Sequence, residues 1–184
     1  TGFFNQNSLM TLQTLPTGML DQVAPASRPA EADRPIPASS GQRRLWFLEQ
    51  LEPGSPLYNC PGGAHLRGEL DVEAFKRSLD EIMRRHESLR TSFATVMGEP
   101  VQIINNDLKL KVEVEDLSTL DPNERTVVVE QRTQSEARTG FDLANGPLLR
   151  VKLLRLADDE HVVLFTMHHI ISDAWSLGVF LNEL

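Results

Sequence analysis

Two adjacent histidines and a carboxylate stand in the stretch MHHIISDAWS, Met167 to Ser176, with Asp173 four residues beyond His169. An imidazole titrates near neutrality and can move protons in catalysis, and a nearby carboxylate can hold it or an arginine. Plainer assignments fit equally well. Two histidines at a strand end also serve as satisfied structural groups, and Asp173 also serves as the N-cap of a following helix. A zinc site is a third alternative, but HExxH and cysteine pairs are absent and three convergent ligands are not evident. Ser172 and Ser176 are poor nucleophiles, because no strand–nucleophile–helix turn of the GxSxG kind surrounds them.

The elements around this stretch decide how it is presented. Val162 to Met167 is nearly all apolar, the pattern of a central strand buried on both faces. It pairs through the acidic turn Asp158, Asp159, Glu160 with a strand over Leu148 to Leu156. Side chains alternate along a strand, so His168 and His169 face opposite ways. One then packs in the core while the other looks into a cleft. Beyond them, Trp175, Leu177, Phe180, Leu181 and Leu184 recur at helical spacing, with Trp46 and Trp175 read as core.

Upstream, Ser39 and Gln42 have capping-box spacing ahead of a helix with Leu45, Trp46, Leu48 and Leu51 on its apolar side. Pro53, Gly54 and Pro56 end it. A short strand is expected over Gly63 to Leu70. Asp71 then caps a helix whose Val72, Phe75, Leu79, Ile82 and Met83 recur at three and four. Strands are expected over Thr91 to Val96 and Val101 to Ile104. The alternating Leu108 to Glu115 reads as a half-exposed strand near an edge. Asp121, Pro122 and Glu124 open a further helix running to about Thr139. Residues 1–37, punctuated by five prolines, read as a linker in which Phe3, Phe4, Leu9, Met10 and Leu12 could dock locally. Order is expected from Ser39, in one domain over residues 38–184. Helices interleaved with at least five strands make an α/β layered architecture.

The 184 residues are 40% hydrophobic, enough for one sizeable core. A net charge of -8 argues against a nucleic-acid surface, which needs a basic stripe. No apolar run approaches the roughly 20 residues of a membrane helix. The lone Cys60 excludes an internal disulfide and suits a reducing cytoplasm. The start at Thr1 and the stop at Leu184 within a helical pattern read as cut ends.

MHHIISDAWS resembles the HHxxxDG signature of the condensation domains of nonribosomal peptide synthetases and of related acyltransferases with the chloramphenicol-acetyltransferase fold. SSGQRRLWFLEQLEPGSPLYN, Ser39 to Asn59, resembles the first core motif of condensation domains. RRHESLRTSF, Arg84 to Phe93, resembles the second, and FDLANGPLLRV, Phe141 to Val151, is a further family-like stretch. The four stretches occur in order and are spread over nearly all of residues 39–184. The wording RLWFLEQLEPGSP is similar to the subclass that takes an L-configured donor. Ala174 departs from the family, which most often has glycine there.

The resemblance implies one lobe of a two-lobed domain, a layered sandwich with a mixed sheet flanked by helices. It implies amide-bond formation between two thioesters carried on 4'-phosphopantetheine arms, with no cofactor bound by the chain itself. The implied partners are upstream donor and downstream acceptor carrier domains, an adjoining adenylation domain, and the C-terminal lobe of the same domain. His169 carries over as general base or orienting group and His168 as structural. Asp173 carries over as a brace for the loop through Arg85, with Arg90 the second candidate. On residue type alone, Arg84, Arg85 and Arg90 follow an amphipathic helix, where an arginine is more often solvated than buried, and His65, His86 and His161 read as structural or exposed. An ester-forming acyltransferase with the same motif, or a recruitment module that has lost catalysis, are the rival readings. The intact His168, His169 and Asp173 count against the second.

Overall fold

A computed structural model of the chain describes residues 10–11 and 35–184. Two sheets organise them. The larger is mixed and five-stranded, in the order β1 (Met10–Thr11), β3 (Asn59–Arg67), β8 (Glu160–His168), β7 (Leu149–Ala157), β6 (Val112–Asp116). β8 pairs antiparallel with β3 on one side and β7 on the other, and the outer pairs β1–β3 and β6–β7 are parallel. The smaller sheet is antiparallel, β2 (Ile36–Pro37), β5 (Glu99–Ile104), β4 (Thr91–Val96).

Four α-helices flank the large sheet: α1 (Ser40–Leu51), α2 (Val72–Arg85), α3 (Pro122–Arg138) and α4 (Ala174–Glu183). The strand alternation sorts them into layers. Val151 and Leu153 of β7 and Val163, Phe165 and Met167 of β8 join one core with Phe75, Leu79, Ile82 and Met83 of α2 and Phe180 of α4. Leu154, Leu156, Val162 and Leu164, one residue out of step, form a second cluster under Val128 and Val129 of α3. β8 is buried from His161 to His168, which makes it the spine of the layered α/β sandwich.

Local chemistry explains the helix starts. Ser39 and Gln42 form a reciprocal capping box on α1, Asp71 accepts from the Ala74 N–H, and Asp121 accepts from the Asn123 and Glu124 N–H groups. Each supplies an acceptor to N–H groups that have no partner within the helix.

Several elements differ from the sequence-based expectation. β3 begins at Asn59, not Gly63, because the segment pairs along its full length with β8, from Asn59↔His168 to Arg67↔Glu160. Gly62 permits it: a Cβ there would lie 2.3 Å from the Phe165 ring. Of the alternating run Leu108 to Glu115, only Val112 onward pairs, beginning at Val112↔Val151. β6 is an edge strand, as its alternation implied. In α1, Leu51 is exposed and Glu49 is buried, its carboxylate accepting from the Gly54 N–H at 2.7 Å. Ile36 and Pro37 pair with β5, so regular structure begins before Ser39. Met10–Thr11 pair with Ala64 and His65 of β3, within the stretch read as a linker. Phe3, Phe4, Leu9 and Leu12 lie outside the described residues, as does most of that stretch.

Candidate active site

β8 runs out at His168, and the four residues His169 to Ser172 carry the chain to Asp173 and α4. The strand period does what the sequence implies. His168, on the α3 side of the sheet, is only 1% exposed, while His169 at the start of the turn is exposed. The His168 ring packs edge-on to Phe141 at 6.0 Å and beside Tyr58 at 6.3 Å. On Phe141, in turn, the Arg150 guanidinium lies 3.9 Å from the ring centre. His168 Nδ1 accepts from the Ile170 N–H at 3.1 Å, which places the ring proton on Nε2. Burial, and secondarily the neighbouring His169, hold the His168 pKa down to about 4, so it stays neutral at physiological pH.

His169 differs in each respect. Its backbone N–H donates to the Tyr58 carbonyl at 2.9 Å. Its Nδ1 lies 2.7 Å from the Ser172 carbonyl. A carbonyl only accepts, so Nδ1 carries a proton, and in the neutral ring Nε2 presents a lone pair. The ring lines an open groove between the first turn of α1 (Ser39, Gly41, Gln42, Leu45) and the turn from Ile170 to Asp173, with Ser176 beyond. Ser172 is held in place by donating from its hydroxyl to the His168 carbonyl at 3.1 Å. Cys60 is half-buried on β3, and burial pushes its thiol pKa up.

Asp173 is the N-cap of α4. Its carboxylate accepts from the Ser176 N–H at 2.8 Å, and Ser176 Oγ accepts from the Asp173 N–H at 2.7 Å. That backbone bond, with the Ser176 hydroxyl next, holds the Asp173 pKa below its usual value. The expected brace to Arg85 is not formed. Arg85 pairs with Glu183 at 3.2 Å, a carboxylate that also meets His86 at 2.9 Å. Glu183 lies in the last turn of α4, about 15 Å along the axis from Asp173 at 1.5 Å per residue. Arg90 does not reach Asp173 either. It donates to the Met83 carbonyl at 2.8 Å, the Arg84 carbonyl at 3.2 Å and the Asn106 side chain, closing the C-terminus of α2.

Ala174, the first residue of α4, is exposed. Trp175 is not core: it is 78% exposed. It lies two residues before Leu177, about 160° round the helix at 100° per residue, and so opposite the buried stripe. Trp46, by contrast, packs partly buried on the core, 6.3 Å from Phe93.

Some contributors carried no sequence signal for their role. Arg150 and Phe141 were visible only as a family-like stretch, and Gln42 only as half of a capping box. Gln42 also donates from Nε2 to the Ile170 carbonyl at 3.3 Å and to Gln102 Oε1 at 3.0 Å.

The family model for the condensation domain matches residues 32–184. The chain belongs to the condensation domain family. This condensation-domain chain is 48% identical over 163 residues to a linear gramicidin synthase polypeptide of Brevibacillus parabrevis, an alignment covering 89% of this chain and 3% of that protein. It is 46% identical over 148 residues to chondramide synthase cmdD of Chondromyces crocatus, covering 80% of this chain and 4% of that one. The chain thus spans a small part of the length of these relatives. Among solved structures, the starter condensation domain of rhizomide synthetase RzmA superposes with a TM-score of 0.73 at 22% identity, over 82% of this chain and 36% of that one. The layered sandwich is therefore the condensation-domain fold. Among the described residues, no helix is long and apolar enough to cross a membrane.

Proposed function

We propose that this condensation-domain chain takes part in joining two carrier-bound aminoacyl or peptidyl groups through an amide bond in nonribosomal peptide synthesis. The observation that supports it most is His169: an exposed imidazole on the groove, Nδ1 committed to the Ser172 carbonyl and Nε2 free among the described residues. The neutral α-amine of the acceptor attacks the carbonyl carbon of the donor thioester. As the C–N bond forms, His169 Nε2 orients the amine and receives its proton. The C–S bond then breaks, and the departing thiolate takes the proton back from the imidazolium. General-base help of this kind contributes about 10²–10⁴-fold. Because a thioester is already activated, most of the task is aligning two tethered reactants.

Both substrates would arrive on 4'-phosphopantetheine arms, from an upstream donor carrier and a downstream acceptor carrier, with an adenylation domain alongside. The C-terminal lobe would form the opposite wall of the channel, so the 184-residue chain alone should not turn over. An L-configured donor is the preferred substrate, on the wording of the α1 segment. The test is to give the full-length protein a donor thioester and an aminoacyl-loaded acceptor carrier, and to weigh the acceptor carrier by mass spectrometry. Transfer of the donor mass as an amide is expected. Transfer only to a carrier bearing a hydroxyacyl group, as an ester, would refute amide synthesis in favour of the esterifying relatives' chemistry.

A further inference from the structure

We infer that Gln42 is a positioning residue for His169, tying the first turn of α1 to the loop that carries the imidazole. The inference rests on the amide-forming reading above. Gln42 is separated from Ile170 by 128 residues in sequence, yet its Nε2 donates to the Ile170 carbonyl at 3.3 Å. The same nitrogen donates to Gln102 Oε1 on β5 at 3.0 Å, and Gln42 Oε1 accepts from the Ser39 N–H at 2.9 Å. Both amide hydrogens are therefore committed to the protein, and none is left to bind substrate.

Ile170 is the residue through which this contact acts. Its N–H donates to His168 Nδ1 and its carbonyl accepts from Gln42, so the backbone between His169 and Ser172 is held from both sides. His169 is oriented by the Ser172 carbonyl two residues further on. If the Ile170 carbonyl is released, the turn is held by the Ile171 N–H to His168 carbonyl bond and the Ser172 hydroxyl. The Ser172 carbonyl, and with it the direction of His169 Nε2, then gains freedom.

Capping does not account for glutamine here. A capping box needs only an acceptor at this position, and glutamate supplies one as well as glutamine. Donating to Ile170 and Gln102 at once needs the amide. Gln42→Glu thus separates the two roles, keeping the cap and removing the tether.

The experiment compares wild type and Gln42→Glu in the full-length protein with both carriers loaded, at one fixed pH. The expected result is a kcat lowered by about ten- to a hundredfold, the scale of a small misplacement of a reacting group. KM for both carriers should stay within about twofold, with the variant assayed well below its own melting temperature. Wild-type kcat in the variant, or a loss confined to KM, overturns the inference while leaving the proposed reaction standing. If the wild-type protein makes no amide, the proposed function fails first. Should Gln42→Glu not fold, Gln42→Met, which sets no charge against the Ile170 carbonyl, is judged by the same kcat and KM criteria.

Discussion

Replacing His168 with glutamine should remove a specific pH dependence from the stability of the protein. In the folded chain His168 stays neutral down to about pH 4, because its ring is buried beside Phe141 and Tyr58. In the unfolded chain it takes a proton from about pH 6.5 downward. The unfolded state therefore binds more protons between those values, and stability falls as the pH falls. The contribution is fully present above pH 6.5. At ~1.4 kcal/mol for each pH unit, about 3 kcal/mol is lost by pH 4. Glutamine does not titrate, so it lacks this term. It should start less stable at pH 7.5, by about 1–3 kcal/mol, if the Ile170 N–H loses its acceptor. Urea unfolding at a series of pH values, followed by the fluorescence of the core residue Trp46, measures both curves. The gap between wild type and variant should close by about 3 kcal/mol as the pH drops from 7.5 to 4. Parallel curves would show that His168 titrates normally, and would refute its burial as a neutral group.

Asp173→Ala should cost about 0.5–2 kcal/mol, the value of an N-cap, and should add to Arg85→Ala within about 0.5 kcal/mol. Coupling well beyond that in a double-mutant cycle of unfolding would restore the brace that the structure lacks. Gly62→Ala should lower stability by about 1–3 kcal/mol, because its Cβ would overlap a Phe165 ring already packed against Phe180 at 5.6 Å. An unchanged melting temperature would mean that the ring moves aside freely.

Much of this architecture was legible because the signals are local. Ser39, Asp71 and Asp121 announce helices through side-chain acceptors one turn from their donors, and the structure begins α1, α2 and α3 at those caps. The opposite facing of His168 and His169 follows from the two-residue strand period and needs no tertiary information. The misses are tertiary. Nothing in NCPGG favours a strand, and Asn59 to Gly63 become one only by pairing with β8. Leu108 and Leu110 alternate like a strand but lack a partner in β7. Trp175 shares helical spacing with its neighbours by count, yet stands on the far side of α4 from Phe180. Arg85 and Asp173 could be matched by charge, but only the fold places Glu183 at Arg85 and leaves Asp173 at the opposite end of the helix. The exposed, Nδ1-protonated state of His169 likewise depends on the Ser172 carbonyl, which residue types cannot specify.

The most direct measurement of the central claim is the single-turnover rate of amide formation by the full-length protein carrying His169→Ala, with donor and acceptor carriers fully loaded. Loss of about 10²–10⁴-fold is expected, with an unchanged melting temperature because the side chain is exposed. Amide formation at the wild-type rate in that variant would show that the Nε2 lone pair of His169 neither orients the amine nor takes its proton.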